Sequence, residues 1–186
     1  MRKIPTLYLR DFNARPAHVT TEPNPECAWV LAGEGIATRK WDGTCTMRDE
    51  AGAWWARREV KQGKTPPPHF VTVVTDDETG RTVGWEPMEQ ASFAKYHAEA
   101  LAYGGTDRPG TYELLGPRIN GNPDGFMVHI LMFHGWAPLD ERVDLEAAPR
   151  DYEGLRVWLA SRPYEGIVFH HDDGRMAKIK RKDFPA

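Results

Sequence analysis

The sequence predicts an α+β fold in which antiparallel sheets are flanked by helices. Short β-branched or aromatic segments, each ended by a turn signal, recur along most of the 186-residue chain. Apolar residues recur at helical spacing in only two regions, residues 88–103 and 151–159. Asp173-Gly174 joins two strand-like segments, a strong hairpin signal that favours antiparallel pairing.

The composition is that of an ordinary globular protein, with 40% hydrophobic and 27% charged residues. The length predicts one domain, residues 1–186. A net charge of −3 excludes nucleic-acid binding through bulk positive charge, so any such contact needs a local basic patch. No apolar segment is long enough to span a membrane or to form a signal-peptide core, so we expect a cytoplasmic protein without membrane partners. Cys27 and Cys45 lack metal-ligand spacing, and Cys45 is interpreted as a small buried strand residue.

The first half of the chain predicts strands separated by turns. A short strand is expected at residues 6–9, and residues 27–32 fit either one helical turn or a strand. Residues 36–47 read as a strand, a turn and a second strand. Further strands are expected at residues 53–60, 70–75 and 83–85.

The second half begins with the longer helix. Pro87 suits the first turn of a helix, which we expect to run over residues 88–103. Residues 111–115 and 127–133 predict strands. Asp151 is expected to cap the second helix, which Pro163 ends. Residues 166–171 and 175–180 form the predicted hairpin.

The register of this hairpin decides which side chains share a face. A two-residue loop pairs Phe169 with Lys178 and Ile167 with Lys180, and it brings Glu165 to the same face. A three-residue loop would shift the register by one position and break this convergence. The alternative interpretation of the lysines is a charged, solvated edge strand.

The segment A-T-R-K-W-D-G-T-C-T-M, residues 37–47, carries the candidate nucleophile. Lys40 stands two residues before Asp42, so an extended backbone would place both on one face. Gly43 allows a turn or a close approach to a ligand. A lysine amine is a covalent nucleophile once nearby cations or a dry pocket disfavour its charged form. An ordinary polar turn is the alternative reading of this segment.

Five short motifs, taken together, resemble those of the covalent nucleotidyltransferase superfamily, which comprises polynucleotide ligases and messenger-RNA capping guanylyltransferases. They occur in the family's order from Ile36 to Lys180. The motifs are K-W-D-G with Lys40, W-A-R with Arg57, Y-E-L-L-G with Glu113, E-G-I-V-F beginning at Glu165, and A-K-I-K with Lys178 and Lys180. G-W-E-P at Gly84 and G-P-R-I-N-G-N-P at Gly116 are further similar to a small family of ATP-dependent RNA ligases that also occurs in animals.

The resemblance implies a nucleotidyltransferase (ATP-grasp-like) adenylation domain. It further implies an RNA ligase that joins 5′-phosphate and 3′-hydroxyl ends through a lysyl-AMP intermediate on Lys40. The implied cofactors are ATP and Mg²⁺ (or Mn²⁺), with Glu113 and Glu165 as metal ligands. The candidate nucleotide-binding residues are Arg39, Lys40, Asp42, Gly43, Arg57, Glu113, Phe133, Glu165, Lys178 and Lys180.

Three departures from the family pattern leave alternatives open. The sequence ends six residues after Lys180, so we expect no C-terminal OB-fold domain. This expectation argues against DNA ligases and capping enzymes, which carry such a domain. An unidentified partner protein is a possible replacement for it. Arg39 suits guanine or a phosphate, which makes a GTP-using, capping-like guanylyltransferase an alternative. A third hypothesis, from a different functional class, is a non-catalytic RNA-end or nucleotide-binding module. Phe133 is the candidate base-stacking aromatic, with a core phenylalanine as the alternative.

Overall fold

A computed structural model describes residues 3–77, 79–104, 106–136 and 138–185. Within these residues the chain forms strands, α-helices and short 3₁₀ helices. The strands are β1 (Tyr8–Asp11), β2 (His18–Pro23), β3 (Ile36–Lys40), β4 (Thr44–Arg48), β5 (Trp54–Val60), β6 (Val71–Thr75), β7 (Thr82–Pro87), β8 (Gly110–Leu115), β9 (Ile130–Phe133), β10 (Gly166–His170) and β11 (Met176–Lys180). The α-helices are α1 (Ala28–Leu31), α2 (Ala94–Leu101), α3 (Leu139–Glu146) and α4 (Tyr152–Ala160).

The named strands pair antiparallel in sheets of two, three and six strands. Antiparallel sheets with few helices agree with the predicted α+β class. The chain divides into two compact units. One is built mainly from the continuous segment Asp42–His134, and the other combines Ile4–Trp41 with Gly135–Ala186.

The continuous unit is organised by the six-stranded sheet, in the order β6-β7-β5-β4-β8-β9. One face carries fully buried residues, among them Thr46, Ala56 and Tyr112. The helix α2 contributes Ala100 to the core cluster that includes Leu114. Alternating strand residues point to the opposite face, which carries half-buried polar side chains.

His97 of α2 is a buried histidine in this unit and makes the unit sensitive to acid. It is 3% exposed and packs edge-on against Trp54, with ring centroids 4.6 Å apart. Burial lowers the pKa of His97 from 6.5 to about 4. The folded protein therefore keeps His97 neutral, whereas the unfolded chain takes up a proton below pH of about 6.5.

We expect the free energy of unfolding to fall by up to roughly 3 kcal/mol between pH 7 and pH 4 because of His97. The measurement is urea denaturation of the wild type and of His97→Gln across this range. The wild type should lose stability toward acid more steeply than the variant. Equal slopes would contradict a neutral, buried His97.

The discontinuous unit is organised by the three-stranded sheet, in the order β11-β10-β3. One face presents Ile167, Phe169 and Ile179, each fully buried in the core. The helix α4 packs Leu155 and Leu159 into the same core. Asp151 caps α4 as predicted, since its side chain accepts a hydrogen bond from the Gly154 N–H.

The outer side of β11 is covered by the N-terminal segment. The N–H of Leu7 donates to the carbonyl of Lys178, and the N–H of Lys178 donates to the carbonyl of Pro5, with N–O distances of 2.8 and 3.0 Å. Thr6 and Lys178 form a parallel bridge. The backbone of Lys178 is thus paired on both sides of β11, and the alternative interpretation of β11 as a solvated edge strand is wrong at this residue.

The predicted register of the last hairpin is wrong by one residue. Val168 pairs with Lys178, and Gly166 pairs with Lys180. The N–H of His171 donates to the carbonyl of Arg175, which leaves a three-residue loop containing Gly174 at φ +89°. Such a loop, with a glycine in the left-handed region, is the common alternative to a two-residue turn. Ile167 and Phe169 consequently point into the core, away from the lysines.

The predicted helix at residues 88–103 is shorter than expected. Pro87 closes β7 opposite Trp55, a 3₁₀ turn covers Met88–Gln90, and extended backbone at Ala91 precedes α2. Packing of Met88 and Ala91 against Ala56 explains the break, because this cluster holds the segment on the sheet.

The other differences are local. Residues 36–47 form two strands that join different sheets and do not form one hairpin. Strand β2 and helix α3 were not predicted. Among the described residues, no helix is both long and apolar enough to cross a membrane.

Candidate active site

Two lysines flank a glycine in the three-stranded sheet. Gly166 on β10 lies directly opposite Lys40 on β3 and opposite Lys180 on β11. Opposed residues in an antiparallel sheet share a face, so both lysines project from one side of the sheet over a position without a side chain. This is the face opposite the core residues Ile167 and Ile179.

Glu165 joins the two lysines. Its Oε2 accepts a hydrogen bond from Lys40 Nζ at 2.5 Å, and its Oε1 accepts one from Lys180 Nζ at 2.8 Å. Burial alone would raise the pKa of Glu165, but the hydrogen bonds and charges of Lys180 and Lys40 outweigh burial and hold it below its usual range. We call Lys40, Glu165 and Lys180 the lysine–glutamate cluster. It has two cations for one carboxylate, so it suits an anionic ligand.

The predicted convergence of Glu165 with Lys180 therefore occurs, although by a different route from the one the sequence suggested. Glu165 precedes β10 and reaches the lysines from its end, whereas Lys180 sits opposite Gly166. Lys178 lies two residues before Lys180 and shares its face. Both oxygens of Glu165 are bonded to lysines, which favours a role in holding the lysines over the predicted role in binding metal.

The absence of a side chain at Gly166 is a geometric requirement. A Cβ at this position would lie 2.2 Å from the carbonyl oxygen of Ile179 and 2.8 Å from Cα of Lys180. The atoms in the way belong to the backbone of the neighbouring strand and cannot rotate aside. Gly166 thus sets the spacing of β10 and β11 where the lysine–glutamate cluster forms.

We expect Gly166→Ala to lower the free energy of unfolding by about 2 kcal/mol, because the strands must separate to admit the methyl group. Chemical denaturation measures the change. Gly174→Asn in the loop of the same hairpin is the matched control. A Cβ at Gly174 meets nothing within 4 Å, and asparagine is among the side-chain residues that best accept a positive φ, so the control should lose only the cost of the backbone strain and clearly less than Gly166→Ala. Equal losses in both variants would contradict the close approach at Gly166.

Arg39 lies on the other face of β3 from its neighbour Lys40. Its Nη1 donates to Glu141 Oε1 of α3 at 2.7 Å. Its guanidinium stacks on the rings of Trp41 and Tyr164, with centroid distances of 3.9 and 4.8 Å. These contacts favour a role in joining α3 to β3 over the predicted role in reading a nucleotide base.

In the continuous unit, Glu113 is the centre of a second group of predicted residues. Its Oε1 accepts a hydrogen bond from the N–H of Gly43 at 3.1 Å. A Cβ on Gly43 would lie 2.2 Å from the carbonyl oxygen of Leu114, so a glycine is needed for this close approach to β8. The motif residues Gly43 and Glu113 are thereby brought together.

Two residues that the sequence analysis did not single out hold the Asp42–Gly43 segment. Asp124 accepts a hydrogen bond from the N–H of Asp42 at 3.1 Å. Asn120 donates to the carbonyl of Gly43 at 2.6 Å. Both belong to the loop after β8, where G-P-R-I-N-G-N-P marked a family likeness but indicated no contact.

His134 is a further residue that the sequence analysis did not assign to the site. Its Nε2 lies 2.9 Å from Glu113 Oε2, and its Nδ1 lies 2.8 Å from Thr111 Oγ1. Cys45 pairs directly with Glu113 across β4 and β8. The only signal in the sequence was the position of His134 at the end of an apolar strand.

Arg57 and Phe133 lie on opposite faces of the six-stranded sheet. The register β7-β5-β4-β8 places Arg57 on the same face as Glu113. Its Nε is buried and has no hydrogen-bond partner within the described residues. Phe133 instead pairs with Tyr112, 5.1 Å away between ring centroids, on the buried face. This position favours the core interpretation of Phe133.

The sequence of this chain is similar to those of two vertebrate RNA ligases. RNA ligase 1 of Danio rerio is 25% identical over 174 residues, covering 76% of this chain and 50% of the relative. RNA ligase 1 of Rattus norvegicus is 24% identical over 216 residues, covering 94% of this chain and 62% of the relative. The chain thus spans about half to three fifths of the length of these relatives. No protein-family model matches it. This distant similarity indicates a protein related to RNA ligases.

Proposed function

We propose that this protein is an ATP-dependent RNA ligase that joins 5′-phosphate and 3′-hydroxyl RNA ends through a lysyl-AMP intermediate on Lys40. The observation that carries the proposal is the lysine–glutamate cluster, in which Lys40 and Lys180 bond to the two oxygens of Glu165. The distant similarity to RNA ligases supports the same reaction class. We further propose that residues 1–186 act as one adenylation domain.

In the first step Lys40 Nζ, as the neutral amine, forms a bond with the α-phosphorus of ATP, the bond from that phosphorus to the bridging oxygen breaks, and pyrophosphate leaves. The proton that the Lys40 ammonium gives up beforehand and the proton lost on bond formation both pass to solvent. Glu165 orients the amine, since its Oε2 accepts a hydrogen bond from Nζ. The ammonium of Lys180, and Lys178 on the same face, neutralise the negative charge that the α-phosphate carries. Phosphoryl transfer depends mainly on such positioning and charge neutralisation.

The nucleotide-binding role proposed for the continuous unit depends on Glu113, Gly43 and Arg57. The buried Arg57 Nε lacks a partner within the described residues, which fits a donor that meets an oxygen of the bound nucleotide. Glu113 offers a carboxylate fixed by the Gly43 N–H, which fits a ribose hydroxyl or a metal ligand. Mg²⁺ or Mn²⁺, when bound, would neutralise charge on the ATP phosphates.

The later steps act on RNA. AMP passes from Lys40 to the 5′-phosphate of one RNA end, and the 3′-hydroxyl of another end then displaces AMP and closes the strand. The proposed partners are therefore RNA molecules that carry these two ends.

Two other functions predict different outcomes. A GTP-using guanylyltransferase requires Arg39 to read guanine, and the engagement of Arg39 with Glu141, Trp41 and Tyr164 does not favour it. A non-catalytic RNA-end or nucleotide-binding module needs no nucleophile. A lysine held against a carboxylate beside a second lysine favours catalysis over binding alone.

The test is the intact mass of the purified protein before and after incubation with ATP or GTP and Mg²⁺. We expect an added AMP with ATP and no added GMP. A GMP adduct alone would support the guanylyltransferase. Absence of both adducts, from folded protein that was unmodified at the start, would contradict the proposal and support the binding module.

A further inference from the structure

Three side chains with different ligand atoms converge in the continuous unit. Cys45 Sγ, a Glu113 carboxylate oxygen and a His134 ring nitrogen all lie within 4.8 Å of one another. Cys45 and Glu113 are cross-strand partners and therefore lie on one face of the six-stranded sheet. His134 directly follows β9, which pairs with β8, and its ring contacts Glu113. Within the described residues, this is the one group of three histidine, cysteine or acidic side chains close enough to hold an ion.

We propose that Cys45, Glu113 and His134 form a binding site for a late first-row divalent ion, with Zn²⁺ as the expected occupant. Mg²⁺ and Ca²⁺ take oxygen ligands, whereas a thiolate with an imidazole and a carboxylate suits Zn²⁺ or Co²⁺. On binding, the thiol releases its proton to solvent, and the thiolate and carboxylate together balance the two charges of the ion. Zn²⁺ ligand bonds of about 2.0–2.3 Å place tetrahedral ligand atoms roughly 3.3–3.7 Å apart. His134 Nε2 and Glu113 Oε2, now 2.9 Å apart, would therefore separate slightly around the ion, with Cys45 Sγ at a similar distance from both.

The surrounding groups already orient two of the three ligands. The hydroxyl of Thr111 bonds to His134 Nδ1, which leaves Nε2 facing Glu113. The N–H of Gly43 occupies Oε1 of Glu113 and leaves Oε2 facing His134. Partners of this kind fix the orientation of ligands in known metal sites.

Exposure separates Cys45 from the other cysteine. Cys45, Glu113 and His134 are each partly exposed, so an ion can reach them, and three protein ligands leave one coordination position open. Cys27 is fully buried, and burial raises the pKa of its thiol to about 11. Cys27 is therefore the natural control for a cysteine that does not bind metal.

The test is a titration of the full chain with Co²⁺ alone, followed by absorption spectroscopy. We expect one equivalent to bind and to produce a thiolate-to-cobalt charge-transfer band, which Zn²⁺ then abolishes by displacement. Cys45→Ser should remove the band, and Cys27→Ala should retain it. Thr111→Val, which removes only the hydroxyl that orients His134, should weaken binding by about tenfold. This readout needs no nucleotide or RNA, so it tests the metal site separately from the proposed ligase reaction, in which Glu113 also has a role.

Three results would overturn the site. They are a wild type without the band at stoichiometric Co²⁺, a band that persists in Cys45→Ser, and a band that is lost in Cys27→Ala. A second measurement covers a Cys45→Ser variant that fails to fold: Zn²⁺ should slow the alkylation of Cys45 by iodoacetamide in the wild type. Alkylation at an unchanged rate would equally reject the site.

Discussion

Lys40→Arg is expected to remove covalent AMP labelling completely, a loss of more than about a thousandfold. The guanidinium keeps the positive charge and the ion pair with Glu165, but it stays protonated and cannot attack phosphorus. The variant should therefore fold like the wild type. Intact mass after incubation with ATP and Mg²⁺ measures the adduct, and peptide mapping locates it.

Lys180→Arg is the matched control for this variant. Lys180 lies opposite the same Gly166, bonds to the same Glu165 and has the same 22% side-chain exposure as Lys40. Its proposed task is charge neutralisation, which arginine also performs, so the variant should still form the adduct at a reduced rate. An adduct that survives in Lys40→Arg and disappears in Lys180→Arg would assign the nucleophile to Lys180.

Glu165→Gln is expected to slow lysine adenylylation by about a hundredfold, because an amide holds the Lys40 amine less firmly in position. It should also lower the free energy of unfolding by about 2 kcal/mol, since two partly buried lysines lose their shared carboxylate. Single-turnover labelling with ATP measures the first effect, and urea denaturation at neutral pH measures the second.

The pH dependence gives Glu165→Gln a distinct signature. Because the folded protein lowers the pKa of Glu165, its contribution is present above the unfolded pKa of about 4.3 and is lost as pH falls through the folded pKa. The gap in stability between wild type and variant should therefore narrow in acid. Glu153→Gln, which removes an exposed partner of Arg156, should show little change at any pH. If Glu165→Gln and Glu153→Gln changed the free energy of unfolding equally at every pH, the proposed role of Glu165 in holding the lysines would be contradicted.

The convergence of Glu165 with Lys180 was predicted from the hairpin, and the family resemblance assigned Lys40 to the same site. The register inferred for the hairpin was nevertheless wrong, since Asp173-Gly174 fits both two- and three-residue loops and the sequence does not distinguish them. The predicted contact between Glu165 and Lys180 nevertheless forms, because Glu165 precedes the paired residues of β10 and reaches Lys180 from the end of that strand. Gly166 then leaves room for the lysines on both sides.

Other parts of the site depend on pairings that the sequence does not reveal. The nearness of His134 to Glu113 follows from the pairing of β8 with β9, and the contact of Arg39 with Glu141 depends on the unpredicted helix α3. Phe133 illustrates the same limit. Its place in the sequence between two motifs was compatible with either face of the sheet, and the pairing with Tyr112 puts it on the buried face.

The interrupted path of the chain through the two units has a consequence for the order of folding. Asp42–His134 is continuous, so the ribosome synthesises all of its strands before it synthesises Gly135–Ala186. The sheet of the other unit joins residues as distant in sequence as Thr38 and Val168, which are 130 positions apart. Closing so long a loop is entropically costly and slow. We therefore infer that Lys40 meets Glu165 and Lys180 only after β11 is synthesised, so the growing chain lacks its proposed nucleophilic site until then.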